Sequence, residues 1–209
     1  MVINLTKGQN IVLEKDQYDL SSVTGGLGWD VARKRAGFSQ IFLRNGDNDF
    51  DLDAIAFLLD ANGKVANDGN ANLEGGDIVF YNSLRHSSGN IYHTGDNRTG
   101  EGDGDDEQLM VNLSRMESKY EKIVFLVSIY EGLKRHQSFG QVENAFIRAV
   151  DARGLEIFRY DLSRDSSFAD KCSMIFGEFY RHNGAWKFKA LGTPYETDDF
   201  QKILEQKYL

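Results

Sequence analysis

The sequence predicts an all-β fold: an antiparallel β-sandwich with long acidic loops at one end and a short C-terminal helix. Three observations predict it. The apolar segments are short and rich in β-branched and aromatic residues, several alternate at period two, and Gly-containing turns separate them. Strands are expected at residues 2–5, 11–13, 78–81, 109–113, 123–130, 145–150, 157–160, 174–180 and 185–191. In the last of these, Trp186, Phe188 and Ala190 take one face and Lys187 and Lys189 the other, the pattern of a half-buried strand. Asn183-Gly184 between the final two segments reads as a hairpin turn. Many short strands and few helical stretches favour a sandwich.

Only the C-terminus reads as a helix. Pro194 stops the last strand, Thr197 is the expected cap, Asp198 and Asp199 suit the first turn, and Phe200, Ile203, Leu204 and Tyr208 form an apolar stripe. The stripe is expected to pack on the sandwich; a docking helix for a partner is the alternative. Residues 61–76 and 94–107 are Gly/Asn/Asp-rich and too long for hairpin turns. The expected division is a domain over 1–192 with a helical tail, 193–209, packed on it.

With 209 residues the chain can bury roughly 70% of its unfolded surface and needs no metal or disulfide merely to fold. Cys172 is the single cysteine, which excludes an intramolecular disulfide and Cys-rich zinc sites and suggests a reducing compartment. The first residues lack a signal-peptide pattern, and the longest apolar run, 123–130, is far short of a membrane span, so a cytoplasmic location is expected.

The formal charge of −8 argues against wholesale binding to nucleic acid, and it is local. Asp47, Asp49, Asp51 and Asp53 contribute −4, residues 96–107 contribute −5, and the other 190 residues sum to +1. If residues 47–53 are a strand, the four aspartates share one face, about 6.6 Å apart. Such a row of like charges is hard to explain without a cation. That face continues as Ile55, Phe57 and Leu59, which sets Asp51 and Asp53 at the rim where a buried face meets solvent. The second segment carries Gly95, Gly100, Gly102 and Gly104 between its acids. Glycines allow tight folding that turns carbonyls inward, and a shell of six to eight oxygens suits Ca2+. The four histidines lack zinc-ligand spacing. Leu52 occupies the Gly position an EF-hand requires.

These stretches carry a further resemblance. Gly26-Leu27-Gly28-Trp29-Asp30, Asp49-Phe50-Asp51-Leu52-Asp53-Ala54, Ile78-Val79-Phe80-Tyr81-Asn82, the segment from His93 to Glu107, Asn144-Ala145-Phe146-Ile147-Arg148 and Gly177-Glu178-Phe179-Tyr180-Arg181-His182 resemble the TerD family of bacterial tellurium-resistance and stress proteins. The resemblance runs from residue 1 to about 192. It implies a calcium-binding β-sandwich with two neighbouring Ca2+ sites at one end. The ligand candidates it implies are Asp30, Asp49, Asp51, Asp53, Asp96, Asn97, Asp103, Asp105, Asp106 and Glu107, with Gly100 and Gly102 as carbonyl donors. Two such ions would take the net charge from −8 to −4. The chain departs from the family's pattern at Tyr130-Glu131, in the basic stretch around Arg33, Lys34 and Arg35, and after Gly192.

The function expected is a non-enzymatic, calcium-binding stress-response module, in which Ca2+ orders the acidic loops for partner binding. The resemblance implies protein partners in a stress-resistance complex, membrane-associated ones included. Nucleic acid is not among the expected partners, and no transmembrane segment is expected. The alternative is a metal-dependent hydrolase or phosphotransferase using the same carboxylates, but no nucleophile–base pair or phosphate-gripping motif accompanies them. Direct tellurite reduction would call for activated thiols, and Cys172 stands alone.

Overall fold

Alternation along the strands decides both layers of this fold. The computed structural model describes residues 2–31, 50–95, 105–161 and 166–209. In chain order the strands are β1 (Ile3–Asn4), β2 (Asn10–Val12), β3 (Val23–Val31), β4 (Leu52–Leu59), β5 (Ile78–Val79), β6 (Ile91–His93), β7 (Glu107–Val111), β8 (Lys122–Ile129), β9 (Val142–Val150), β10 (Glu156–Asp161), β11 (Ser173–His182) and β12 (Ala185–Tyr195). A short helix α1 (Gly132–Arg135) follows β8, and α2 (Phe200–Lys207) follows β12. Among the described residues the strands form two six-stranded sheets, ordered β1-β10-β9-β3-β7-β6 and β2-β12-β11-β8-β4-β5. Neighbours are antiparallel except β1, which runs parallel to β10.

The main core lies between the sheets. Trp186, Phe188 and Ala190 of β12 face it, as their alternation predicts, and Phe188 stacks on Phe158 from the opposite sheet with centroids 4.1 Å apart. The β11–β12 turn uses Asn183 and Gly184, both at positive φ (52° and 76°), the pair of left-handed residues that a tight hairpin needs.

β4 is buried on both faces. Leu52, Ala54, Ala56 and Leu58 enter the inter-sheet core. Ile55, Phe57 and Leu59 join a second core on the outer face, covered by Phe200, Ile203 and Leu204 of α2. The α2 stripe thus packs on the sandwich. Its cap is Asp199, whose carboxylate accepts from the Gln201 and Lys202 amides, while the expected cap Thr197 accepts from the Asp199 amide instead. Pro194 does not end β12, which runs one residue further. β2 pairs only with Lys187–Lys189, so the β12 edge beside Pro194 is open and its missing N–H breaks no ladder bond there.

β3, β4, β6 and α1 are additions to the expected elements, a strand near β4 being expected only conditionally, over residues 47–53. β3 holds three glycines, which lower strand propensity, and its pairing on both sides with β7 and β9 overrides that tendency. The expected long loop over 61–76 is built from local turns, with the Asp60 carboxylate accepting from the Asn62 and Lys64 amides and the Asn70 amide oxygen from those of Asn72 and Glu74.

A clasp at the start of β3 fastens the N-terminal segment to the β9–β10 turn. The buried Asp151 carboxylate accepts from the amides of Asp19, Arg153 and Leu155 and from the Arg153 guanidinium. Burial works against ionisation here, but these donors outweigh it and hold the carboxyl at about 2, against an ordinary 3.8. The folded value is depressed, so the stabilisation is complete above the unfolded value and fades as pH falls toward the folded one. Asp151→Asn should therefore cost about 2 kcal/mol at neutral pH. In urea titrations its deficit relative to wild type should shrink as the pH is lowered from about 5 to about 2. A deficit that stays constant across that range would contradict this.

Candidate functional site

Antiparallel pairing brings five strand ends to one end of the sandwich. Leu27 of β3 lies opposite Glu107 of β7, Leu52 of β4 opposite Ile129 of β8, and Asp30 of β3 opposite Glu143 of β9. The acidic residues described within the two charged segments sit here. Asp49, Asp96, Asn97, Gly100, Gly102 and Asp103 lie outside the described residues, as does the basic stretch around Arg33, and only the backbone of Asp30 is described.

Asp51 precedes β4, is 8% exposed, and accepts the Tyr130 amide at its carbonyl, which ties the entry of β4 to the exit of β8. Asp53 is 5% exposed and shares the outer face of β4 with Ile55 and Phe57. Its register partner is Ser128, whose hydroxyl bonds the Ser173 hydroxyl (2.8 Å) and donates to the Asp198 carbonyl (2.9 Å). The segment leading into α2 therefore passes beside the Asp53 position. Its Asp198 carboxylate also accepts the Leu133 amide at the start of α1.

Glu107 belongs to the other face. It alternates with Leu109 and Val111, whose side chains fill the inter-sheet core, and it is fully buried. Among the described residues β5 pairs with β4 only at Ala56 and Phe57, which leaves the Ala54 N–H without a strand partner there. Glu107 reaches across from the opposite sheet and accepts it at Oε2, 2.7 Å away. His93 of β6 completes the arrangement. Its Nδ1 accepts the Gly95 amide, which leaves the ring proton on Nε2, 3.2 Å from Glu107 Oε2. His93 thus accepts from the Gly95 amide and donates to Glu107.

Asp106 and Asp105 point elsewhere again. Asp106 accepts the Trp29 amide (2.9 Å), and the Trp29 indole N–H donates to the Phe50 carbonyl (3.1 Å). Trp29 is thus wedged between the two acidic segments. Asp105 accepts from Arg148 Nε (2.7 Å), from a terminal Arg148 nitrogen (3.1 Å) and from Gln108 (3.3 Å). Among the described residues, no three His, Cys, Asp or Glu side chains are grouped closely enough to hold a metal ion. Asp51, Asp53, Asp106 and Glu107 thus share one end of the sandwich, but Asp53 and Glu107 occupy opposite faces of the sheet containing β4. Cys172 is buried, and burial pushes its thiol up, away from the reactive thiolate.

Arg148 and Ser128 escape the sequence reading. Alternation in residues 145–150 does place Arg148 on the outer face, but its partner depends on β9 lying beside β3, which no local pattern reveals.

Among the described residues, no helix is long and apolar enough to cross a membrane. The TerD domain family matches residues 1–207. The chain is 53% identical over 205 residues to tellurium resistance protein TerX of Serratia marcescens, covering 96% of each chain. It is 44% identical over 197 residues to general stress protein 16U of Bacillus subtilis (strain 168), covering 94% of this chain and 92% of that one. In fold it is similar to a crystal structure of a telluride resistance protein (TerD) homologue from Streptomyces coelicolor A3(2), with a TM-score of 0.65 at 20% identity over 90% of this chain and 97% of the other. The chain therefore belongs to the TerD domain family.

Proposed function

We propose that the protein is a cytoplasmic, non-enzymatic stress-response module that binds Ca2+, two ions in all, through its acidic end, and that the bound ions order the acidic segments for a protein partner, at the membrane included. The observation that carries this reading is the gathering of Asp51, Asp53, Asp106 and Glu107 at the end where both acidic segments meet the sandwich. Carboxylates collected in this way are the oxygen ligands a hard cation such as Ca2+ prefers. The donor set fits Ca2+: carboxylates dominate, carbonyls are near, and the buried histidine is already used as a donor to Glu107. The residues that would hold the ions are Asp30, Asp49, Asp51, Asp53, Asp96, Asn97, Asp103, Asp105, Asp106 and Glu107, with Gly100 and Gly102 as carbonyl donors. The names of the relatives, which refer to tellurium resistance and general stress, support the stress-response part.

Calorimetric melting in EDTA and in excess Ca2+ tests this. At a hundredfold excess over Kd one site contributes about 2.7 kcal/mol, a rise of roughly 5–10 °C for a domain of this size. An unchanged melting temperature, with no heat in a Ca2+ titration, would overturn the proposal.

A further inference from the structure

Asp105, Asp106 and Glu107 are consecutive, yet their carboxylates go to three different strands: Asp105 to Arg148 of β9, Asp106 to the β3 backbone, and Glu107 to the β4 backbone. Asp105 is the most completely committed in nitrogen donors. Its side chain is 2% exposed, both of its oxygens accept from the Arg148 guanidinium, and Gln108 donates to Oδ2 as well. A bidentate guanidinium–carboxylate pair is the strong, directional form of a charge-assisted hydrogen bond.

The seat for this carboxylate is cut into β3. A β-carbon at Gly26 would lie 2.3 Å from the Asp105 carboxyl, so the glycine makes room for the pair to lie against the strand. Arg148 is itself held on its far side by Glu156 (3.1 Å), which also binds Arg159, and Arg159 lies over the Phe146 ring at 4.0 Å. The guanidinium is therefore braced before it meets Asp105. Its hydrogen bonds to Asp105, followed by those to Glu156, raise the affinity of Arg148 for its proton, so the cation is permanent.

We propose that Arg148 is a positioning residue that takes Asp105 out of the ligand set and uses it to anchor the acidic segment on β3 and β9, leaving cation binding to the other acids of this end. Asp105 is then a fastener. Its loss misplaces Asp106 and Glu107, one and two residues on. The part concerning cation affinity rests on the Ca2+ reading above; the anchoring itself does not.

The test uses the full chain carrying Trp186→Phe, so that Trp29 alone reports on the acidic end by its fluorescence. Arg148→Met, Asp105→Asn, their double variant and Asp151→Asn are compared. In EDTA, each single change at the pair should lower the melting temperature by about 3–8 °C, and the double variant should fall little further, because both remove one interaction. In Ca2+ titrations, Arg148→Met and Asp105→Asn should weaken affinity to the same extent, on the order of tenfold, with stoichiometry unchanged. Asp151→Asn acts in the clasp at the start of β3, touches neither Arg148 nor Asp105, and should lower stability without moving Kd. That separates positioning from general destabilisation.

Three results would overturn the inference: additive losses in EDTA, loss of one equivalent of Ca2+ in Asp105→Asn alone, or tighter Ca2+ binding in Arg148→Met, which would mean that the arginine competes with the ion for a ligand. If the parent binds no Ca2+, the function proposed above fails, and the comparison in EDTA still decides the anchor.

Discussion

Replacing Asp77 with alanine is expected to cost about 3–5 kcal/mol, the largest effect of any polar substitution in this protein. Asp77 lies just before β5, at the end of the sandwich opposite the acidic segments, and is buried together with His86 and Tyr120. The Tyr120 hydroxyl donates to its Oδ1, His86 Nε2 lies 3.1 Å from the same oxygen, and the Asn67 amide donates to Oδ2 at 3.1 Å. The Ser88 amide donates to His86 Nδ1, so the ring proton sits on Nε2 and points at Asp77. Burial, reinforced by the hydrogen bond to Asp77, pushes the Tyr120 hydroxyl upward, which keeps it a donor. Alanine would strand the Tyr120 and His86 donors where water cannot reach them. Asp77→Asn keeps an acceptor and should cost distinctly less. Urea unfolding with both variants checks this; a loss below about 1 kcal/mol for alanine would refute the account.

Glu107→Ala should come next, at about 3–4 kcal/mol, with a more local signature. The carboxylate is the cross-sheet partner of the Ala54 N–H, on the edge of β4 beyond its pairing with β5, and the acceptor for His93. Removing it leaves both donors unmatched and a void between the sheets. Native-state hydrogen exchange should show the Ala54 amide exchanging at least about tenfold faster, beyond the change expected from global stability alone. An Ala54 amide that follows only the global change would mean that Glu107 does not serve that edge. Such a variant should also bind Ca2+ less well, because the entry of β4 carries Asp51 and Asp53.

Both predictions concern residues whose importance the sequence only half reveals. Glu107 is legible as a member of an acidic run, and its alternation with Leu109 and Val111 is visible once residues 109–113 are read as a strand. Nothing local says that this strand faces the β4 edge. Asp77 gives no signal at all, because its partners are 10 residues before it and 9 and 43 after it. β3 was hidden for a related reason: its glycines depress strand propensity, and one of them exists to admit Asp105. The Thr197 cap missed by two residues, since Asp199 offers the same chemistry one position before the helix.

By itself the sequence determined the all-β class, the inward set of β12, the Asn183-Gly184 turn, the stripe of α2 and the concentration of charge into two segments. All of these follow from periodicity, turn chemistry or composition within a few residues of chain. The tertiary structure decided which acids could act together. Period-two alternation assigns a residue to a face but does not say what covers that face. The outer face of β4 is covered by α2, so Asp53 shares the second core's side with Ile55 and Phe57, while Glu107 reaches the same strand from within the sandwich. Arg148 likewise meets Asp105, 43 residues away, only because β9 lies beside β3. Strand pairing is non-local, and so is the assignment of Asp105, Asp106 and Glu107 to three different strands.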